Sequence, residues 1–340
     1  MEWTDETEHG TWIRERLDEP WRGTMHDVVP RGFAAYVRIL HPATRDRPVG
    51  TAWPALPYAA HEREWEAFQR SAPQIDSERV SWAATAAALG TTMHATAQWH
   101  SLVAPGRLVE HEDGPRDAAG WRYGDPRTGG LEPDLLADVA RTLAAHTSTP
   151  DDGFVALWEG WGGLLGFHGE APSRTFFQLT GDAADAASPR PADAGLVDQH
   201  NAMLGRSIHD SFNTVLGRPT WQPGILSDEI SRGARLSLPA RDHVLFRGGV
   251  SELADPDWPR NVPWRDRESE EHGFAPSAES PSLVWPADRA WVLVSDVDHD
   301  STVVAGSAEL IRALCADPRL EALPLTEGTA LTWDADEVNG

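Results

Sequence analysis

The chain has 340 residues, 40% hydrophobic and 24% charged, and sets 29 basic against 53 acidic side chains for a formal charge of −24. Every basic side chain is an arginine, so the chain has no lysine for Schiff-base, P-loop, kinase-type or Ser-x-x-Lys chemistry. A field of this sign repels nucleic-acid phosphate and anionic lipid, so neither nucleic acid nor membrane is an expected partner.

In chain order, residues 1–30 are polar, with Trp3, Trp12 and Trp21 among charges, and read as an irregular arm wrapping the body. Residues 34–41 alternate as a strand, with Tyr36, Arg38 and Leu40 on one face and Val37 and Ile39 on the other. Residues 60–70 read as a helix, and 80–89 and 93–103 as two short helices broken at Gly90. A Gly/Pro/Asp-rich loop is expected over 104–130. The clearest helix follows at 133–146, with Pro133 and Asp134 in its first turn and Leu135, Leu136, Val139, Ala140 and Leu143 as its stripe. Phe154 to Trp158 reads as a strand running into a Gly-rich turn at 160–166.

Residues 181–195 have the low complexity of a linker or long loop, and 196–204 read as helical. Strands are expected at 235–239 and 243–247, then an irregular stretch over 251–282. A hairpin joins 290–296 to 301–305, and a helix capped by Ser307 stops at Pro318. This irregular mixture favours α+β with a mainly antiparallel sheet, packed helices and long loops over a doubly wound fold. The expected organisation is an α+β region over 1–180, the linker, and a second α+β region over 196–340; the two can also form one composite domain.

The lone cysteine, Cys315, permits no internal disulfide and no Cys-x-x-Cys metal site. In the pattern Leu310, Ile311, Leu314, Cys315 it reads as a core residue. The first residues, MEWTDETEHG, lack the apolar run of a signal peptide, and no stretch approaches the roughly 20 apolar residues of a membrane span. A cytoplasmic protein is expected.

Asp296, Asp298 and Asp300 alternate around His299 as hard-cation ligands can, and the stretch begins like a calcium loop. Ser301 stands where that loop needs glycine and Ser307 where it needs glutamate, so a polar hairpin turn competes with a metal site. His94 and His100 are spaced for different helix faces. His209-Asp210, with His200 and Asp228, offers a thin hint of a metal hydrolase. The helix-turn-helix likeness of 82–100 fails because its second helix has no cation for phosphate. No cofactor motif is present: there is no Gly-x-Gly-x-x-Gly after a strand, and no Gly-x-Ser-x-Gly elbow.

Tryptophan is the unusual positive feature, with 16 against 9 Phe and 3 Tyr. Trp258, Arg260, Trp264, Arg265 and Arg267 give the 258–267 segment the composition of a binding hot spot, unless the indoles pin the loop to the body. Glu159 between Trp158 and Trp161 can border a pocket, as a carboxylic acid among indoles or as part of an ordinary turn.

The segments YVRILHPA (36–43), HTSTPDDGFVALWEGWGG (146–163) and WPADRAWVLVSDVDHDSTVVAGSAELI (285–311), about a sixth of the chain, resemble a family of proteins from high-GC Gram-positive bacteria that has no assigned activity. The resemblance implies a cytosolic protein of some 300 residues and transfers no catalytic residue. The final hairpin and helix also resemble the end of SUKH-type domains, which act as immunity and interaction modules.

The expected function is binding or regulation without catalysis, through an acidic, Trp-lined surface and toward a protein or a small molecule. A carboxylate/His hydrolase and a small-ligand pocket walled by Trp158 and Trp161 are the alternatives.

Overall fold

Apolar residues at alternate positions put Val37 and Ile39 into one core and Tyr36 into another, on opposite faces of the same strand. That strand belongs to a sheet that organises the whole structure. The computed structural model describes residues 1–105, 114–169, 219–271 and 273–340. The expected linker at 181–195 and helix at 196–204, with His200, His209 and Asp210, lie outside the described residues.

The strands of the first half are β1 (Glu2–Trp3), β2 (Ala35–Leu40), β3 (Ala43–Pro48), β4 (Ile75–Val80), β5 (Arg122–Gly124), β6 (Gly153–Trp158) and β7 (Phe167–Gly169). Those of the second are β8 (Thr220–Gln222), β9 (Leu236–Ser237), β10 (Asp242–Arg247), β11 (Leu283–Pro286), β12 (Val292–Val294), β13 (Ser301–Gly306) and β14 (Ala322–Leu325). The main sheet runs β1-β10-β6-β11-β12-β13-β2-β14, with β9 also on β10, and its pairings are antiparallel. β3 to β5 form a small sheet in the order β4-β3-β5, and β7 pairs with β8. With its helices this is an α+β fold. The main sheet draws strands from both 1–180 and 196–340.

Two helices cover one face. Pro133–Ala144 begins with Pro133 at its first position, where no amide N–H is needed, and buries Leu135, Leu136, Val139, Ala140 and Leu143. Ala308–Ala316 is capped by Ser307, whose Oγ accepts from the Leu310 amide at 3.2 Å. Both stripes join Val155, Leu157, Val244 and Val304 in the larger core. The opposite face is covered by the amino-terminal arm, through Trp12, Ile13, Met25 and Val29. A third cluster, with Trp82, Trp99 and Tyr123, sits beside the small sheet. No helix among the described residues is long and apolar enough to cross a membrane.

Three expectations are corrected. Of 93–103 only Trp99–Val103 is helical. Arg38 takes the carbonyls of Ala95 and Ala97 at 3.2 and 2.7 Å, and Asp336 takes the Gln98 amide at 3.2 Å, so partners outside the segment bind groups a longer helix would use. The loop expected over 104–130 contains β5. Cys315 is exposed: Leu310, Ile311 and Leu314 point into the core, and Cys315 lies at the margin of that stripe in the last turn.

Candidate functional site

Antiparallel pairing brings four strand ends to one margin of the main sheet. β6 finishes at Trp158 and β12 at Val294, while β10 starts at Asp242 and β11 at Leu283. His243 is opposite Trp158 in the register, and Leu283 is opposite both Ala156 and Val294. Side chains alternate, so His243 shares the face of Leu245, the face covered by the arm.

The arm does not close over this margin completely. An inner chamber is lined by Leu17 and Val28 from the arm and by Leu238, His243, Leu283 and Val294 from the sheet side. It gives the centres of water molecules about 30 Å³, room for about two waters. An outer chamber of about 190 Å³ on the same measure adjoins it, lined by Trp21, Asp298, His299 and Leu331 among others. Asp27, Val28, Ala240, Arg241 and Asp296 line both.

The arm is held locally. The Asp27 carboxylate accepts from the amides of Arg22 and Gly23 at 3.2 and 2.9 Å, and Arg31 binds Asp18 at 2.6 Å. The His26 ring meets the Val29 carbonyl at 2.8 Å and accepts from the Gly328 amide at 3.1 Å. The turn leaves Trp21 at φ 70°, a left-handed conformation unusual for a bulky residue, with its side chain 92% exposed.

Charge in the cleft is uneven. Arg241 donates through Nε to Asp296 at 3.1 Å, through Nη2 to Asp298, and stands 5.1 Å over the Trp158 ring. Asp296 also accepts from the Asp298 amide at 3.0 Å. Three carboxylates (Asp27, Asp296 and Asp298) therefore line the cleft beside one guanidinium, which binds Asp296 and Asp298. His243 is 4% exposed, and its Nδ1 has no hydrogen-bond partner among the described residues. Burial lowers its pKa to about 4, with Asp296 and a hydrogen bond to the Leu236 carbonyl pulling the other way, so the ring is neutral at neutral pH.

The expected site residues separate into several places. Trp158, Asp296 and Asp298 come together around Arg241 at the cleft. Trp161 meets Trp158 edge-on at 5.8 Å but packs against the larger core. Glu159 is paired with Arg235 at 2.9 Å, which makes it an ion-paired carboxylate rather than an acid isolated between indoles. Asp300 turns away to Arg38 at 3.3 Å. Alternate aspartates thus diverge to two arginines, and no group of three or more His, Cys, Asp or Glu among the described residues is placed to hold a metal ion.

In the 258–267 segment the indoles pin the loop to the body. Trp258 and Trp264 are both 0% exposed, in the larger core; Trp264 lies 4.7 Å from Phe246 and donates to the Glu279 carbonyl at 3.0 Å. Arg260 binds Asp257 at 3.2 Å, and Arg265 binds Glu270. Large indoles contribute most when fully buried, and this loop uses them to anchor itself. His94 pairs with Asp336 at 2.8 Å, His100 lies against Trp333, and Asp228 accepts from the Trp221 indole at 2.6 Å.

Sequence reasoning missed Arg241, His243, Asp27 and the position of Trp21. The signal for the first two was the alternation Arg241, His243, Leu245, which places them on one strand face. No family model, curated protein or solved structure matches this chain.

Proposed function

We propose that this chain is a binding protein for a small organic molecule, held at the sheet margin beneath the amino-terminal arm. The observation that carries the reading is His243: a nearly fully buried polar ring in the wall of a small chamber, whose Nδ1 has no hydrogen-bond partner among the described residues. A buried polar atom left unpaired costs about 1–3 kcal/mol, which a ligand supplying the missing hydrogen bond would recover. Apolar walls with a few convergent polar groups are the usual make-up of a small-molecule site. Trp158 stands behind Arg241, whose guanidinium lies 5.1 Å over its ring. One cysteine in 340 residues supports a reducing, cytoplasmic setting.

Ala240 lines both chambers and is exposed, so Ala240→Trp should fill the cleft at little cost to the fold. A fragment panel followed by thermal unfolding should yield compounds that raise the melting temperature of the wild type and not of Ala240→Trp. A panel that shifts both proteins equally, or neither, would sink the reading.

A further inference from the structure

We infer that Thr96, His94 and Asp336 form a second site, a nucleophile, base and carboxylate in series that hydrolyse uncharged esters of small acyl groups. The site is separate from the cleft, and neither reading depends on the other.

The three residues meet because the segment that holds two of them is not helical. On a helix, positions i and i+2 point to different sides. Here Arg38 binds the carbonyls of Ala95 and Ala97 at 3.2 and 2.7 Å, and the stretch before Trp99–Val103 stays irregular. His94 Nδ1 and Thr96 Oγ1 then lie 3.1 Å apart. The third member arrives from the carboxyl-terminal segment. Asn339 clamps that segment to Thr92, its Oδ1 accepting from the amide at 2.8 Å and its Nδ2 donating to the carbonyl at 2.9 Å. Asp336 Oδ1 comes to 2.8 Å from His94 Nε2.

These contacts fix the roles of the ring. Asp336 accepts from the amides of Gln98, Val338 and Asn339 at 3.2, 3.1 and 2.9 Å, bonds that favour its ionised form. A carboxylate cannot donate, so the hydrogen is on His94 Nε2, and the neutral ring carries its lone pair at Nδ1. Asn339 Nδ2, 3.4 Å from Nε2, is a second donor and does not contest that hydrogen. Thr96 is therefore the donor at Nδ1, and its hydroxyl is bonded to a base whose far side is oriented by an anion. That order of groups is the one that activates a hydroxyl for acyl transfer. The Asp336 side chain is 1% exposed and the His94 ring 21%, and Thr96 is half-buried. The anion is shielded, while the two reacting residues are partly open to solvent.

Charge and surface set the substrate class. Asp334 and Glu337 are exposed on the segment that supplies Asp336, in a chain of net charge −24, which disfavours an anionic substrate. Trp333 and Val338, 61% and 60% exposed on the same segment, offer apolar surface to an uncharged one. An alcohol leaves more readily than an amine, so an ester is the acyl donor that one hydroxyl and one imidazole can cleave. In acylation the Thr96 oxygen bonds the ester carbonyl carbon while its proton passes to His94 Nδ1. The bond to the leaving alcohol breaks as Nδ1 returns the proton to that oxygen. Water next adds to the acyl carbon through the same base, the carboxylic acid leaves, and Thr96 regains its proton.

The test is hydrolysis of p-nitrophenyl acetate by the full chain, with mass spectrometry of the trapped acyl-protein. The wild type should show saturation kinetics, and an acetyl group should map to Thr96. Thr96→Val should abolish both, and Thr96→Ser should restore them. His94→Gln should lower kcat roughly a hundred- to ten-thousandfold, the range of general-base catalysis. Asp336→Asn should lower kcat with KM unchanged, the mark of a residue that positions the base and does not bind substrate. Should either of these two variants fail to fold, the Thr96 pair and the acetyl map carry the test. Equal rates in wild type and Thr96→Val, acetyl found only elsewhere, or hydrolysis no faster than that of free imidazole at equal concentration would overturn the assignment. An intact kcat in folded Asp336→Asn would remove Asp336 from it.

Discussion

Arg38, 2% exposed on β2 beside the edge strand β14, reaches Asp300 through Nη2 at 3.3 Å across the junction of β2 and β13. Its Nε donates to Ser301 Oγ at 2.8 Å, and Nη1 donates to the carbonyls of Ala95 and Ala97. One buried cation thereby ties the sheet to the segment before helix Trp99–Val103. Burial pushes the Asp300 carboxyl above its ordinary range while the Arg38 charge pulls it down, and a guanidinium remains protonated in any such setting. Removing the carboxylate strands the cation, so Asp300→Ala should cost about 3–5 kcal/mol. In a double-mutant cycle with Arg38→Met, urea unfolding should give a coupling of at least about 1 kcal/mol. Strict additivity would mean that the pair does not act as a unit.

Two buried imidazoles should make stability fall in mild acid. Burial lowers His41 to about 4, as it does His243, from an ordinary value of 6.5. The unfolded chain then binds more protons than the folded one between these values. The stabilising contribution is complete above pH 6.5 and is lost as the pH falls toward 4, at about 3 kcal/mol for each ring by linkage. Asp336, held at about 2 by hydrogen bonds from Asn339, Gln98 and His94 against its burial, adds a further loss once the pH drops below its ordinary 3.8. Urea unfolding at a series of pH values should show this slope. His41→Gln should remove about one proton from it. An unchanged slope in that variant would contradict the buried, neutral state of His41.

The indoles at 258 and 264 should report on folding and not on binding. Trp264→Ala removes a fully buried ring and its bond to Glu279, and should cost about 3–5 kcal/mol. Arg260→Ala, in an exposed pair with Asp257, should change stability by less than about 0.5 kcal/mol. Comparable unfolding midpoints for the two variants would refute this division of roles.

Cys315 should be open to chemistry in the native state. Partial burial raises its thiol above the ordinary value, so little thiolate is present, but the residue is exposed. A neutral maleimide should label one thiol per folded chain, slowly, without loss of secondary structure by circular dichroism. Labelling only above the unfolding midpoint would return Cys315 to the core.

Elements with strong alternation or clear caps could be read from the sequence: β2, β6, the hairpin of β12 and β13, and the helices at Pro133–Ala144 and Ala308–Ala316. β3 and β4 could not, because ATRDRP and IDSERV carry charges on both faces and pair in a small, largely solvated sheet. The cleft was legible only in fragments. Trp158, Asp296 and Asp298 stood out by residue type, but what joins them is Arg241, an ordinary arginine until β10 is set beside β6. The arm that roofs the chambers has no periodicity, and its path is fixed by contacts with distant groups such as the Gly328 amide.

The place of β2 in the main sheet bears on how this chain is made. Its neighbours are β13 and β14, and the Arg38–Ser301 bond spans 263 residues. An emerging chain exposes Val37 and Ile39 long before the ribosome has delivered either neighbouring strand. Loop-closure entropy must be overcome late and over a long span, so assembly should be slow, with an unpaired apolar ribbon waiting at risk of association with other nascent chains.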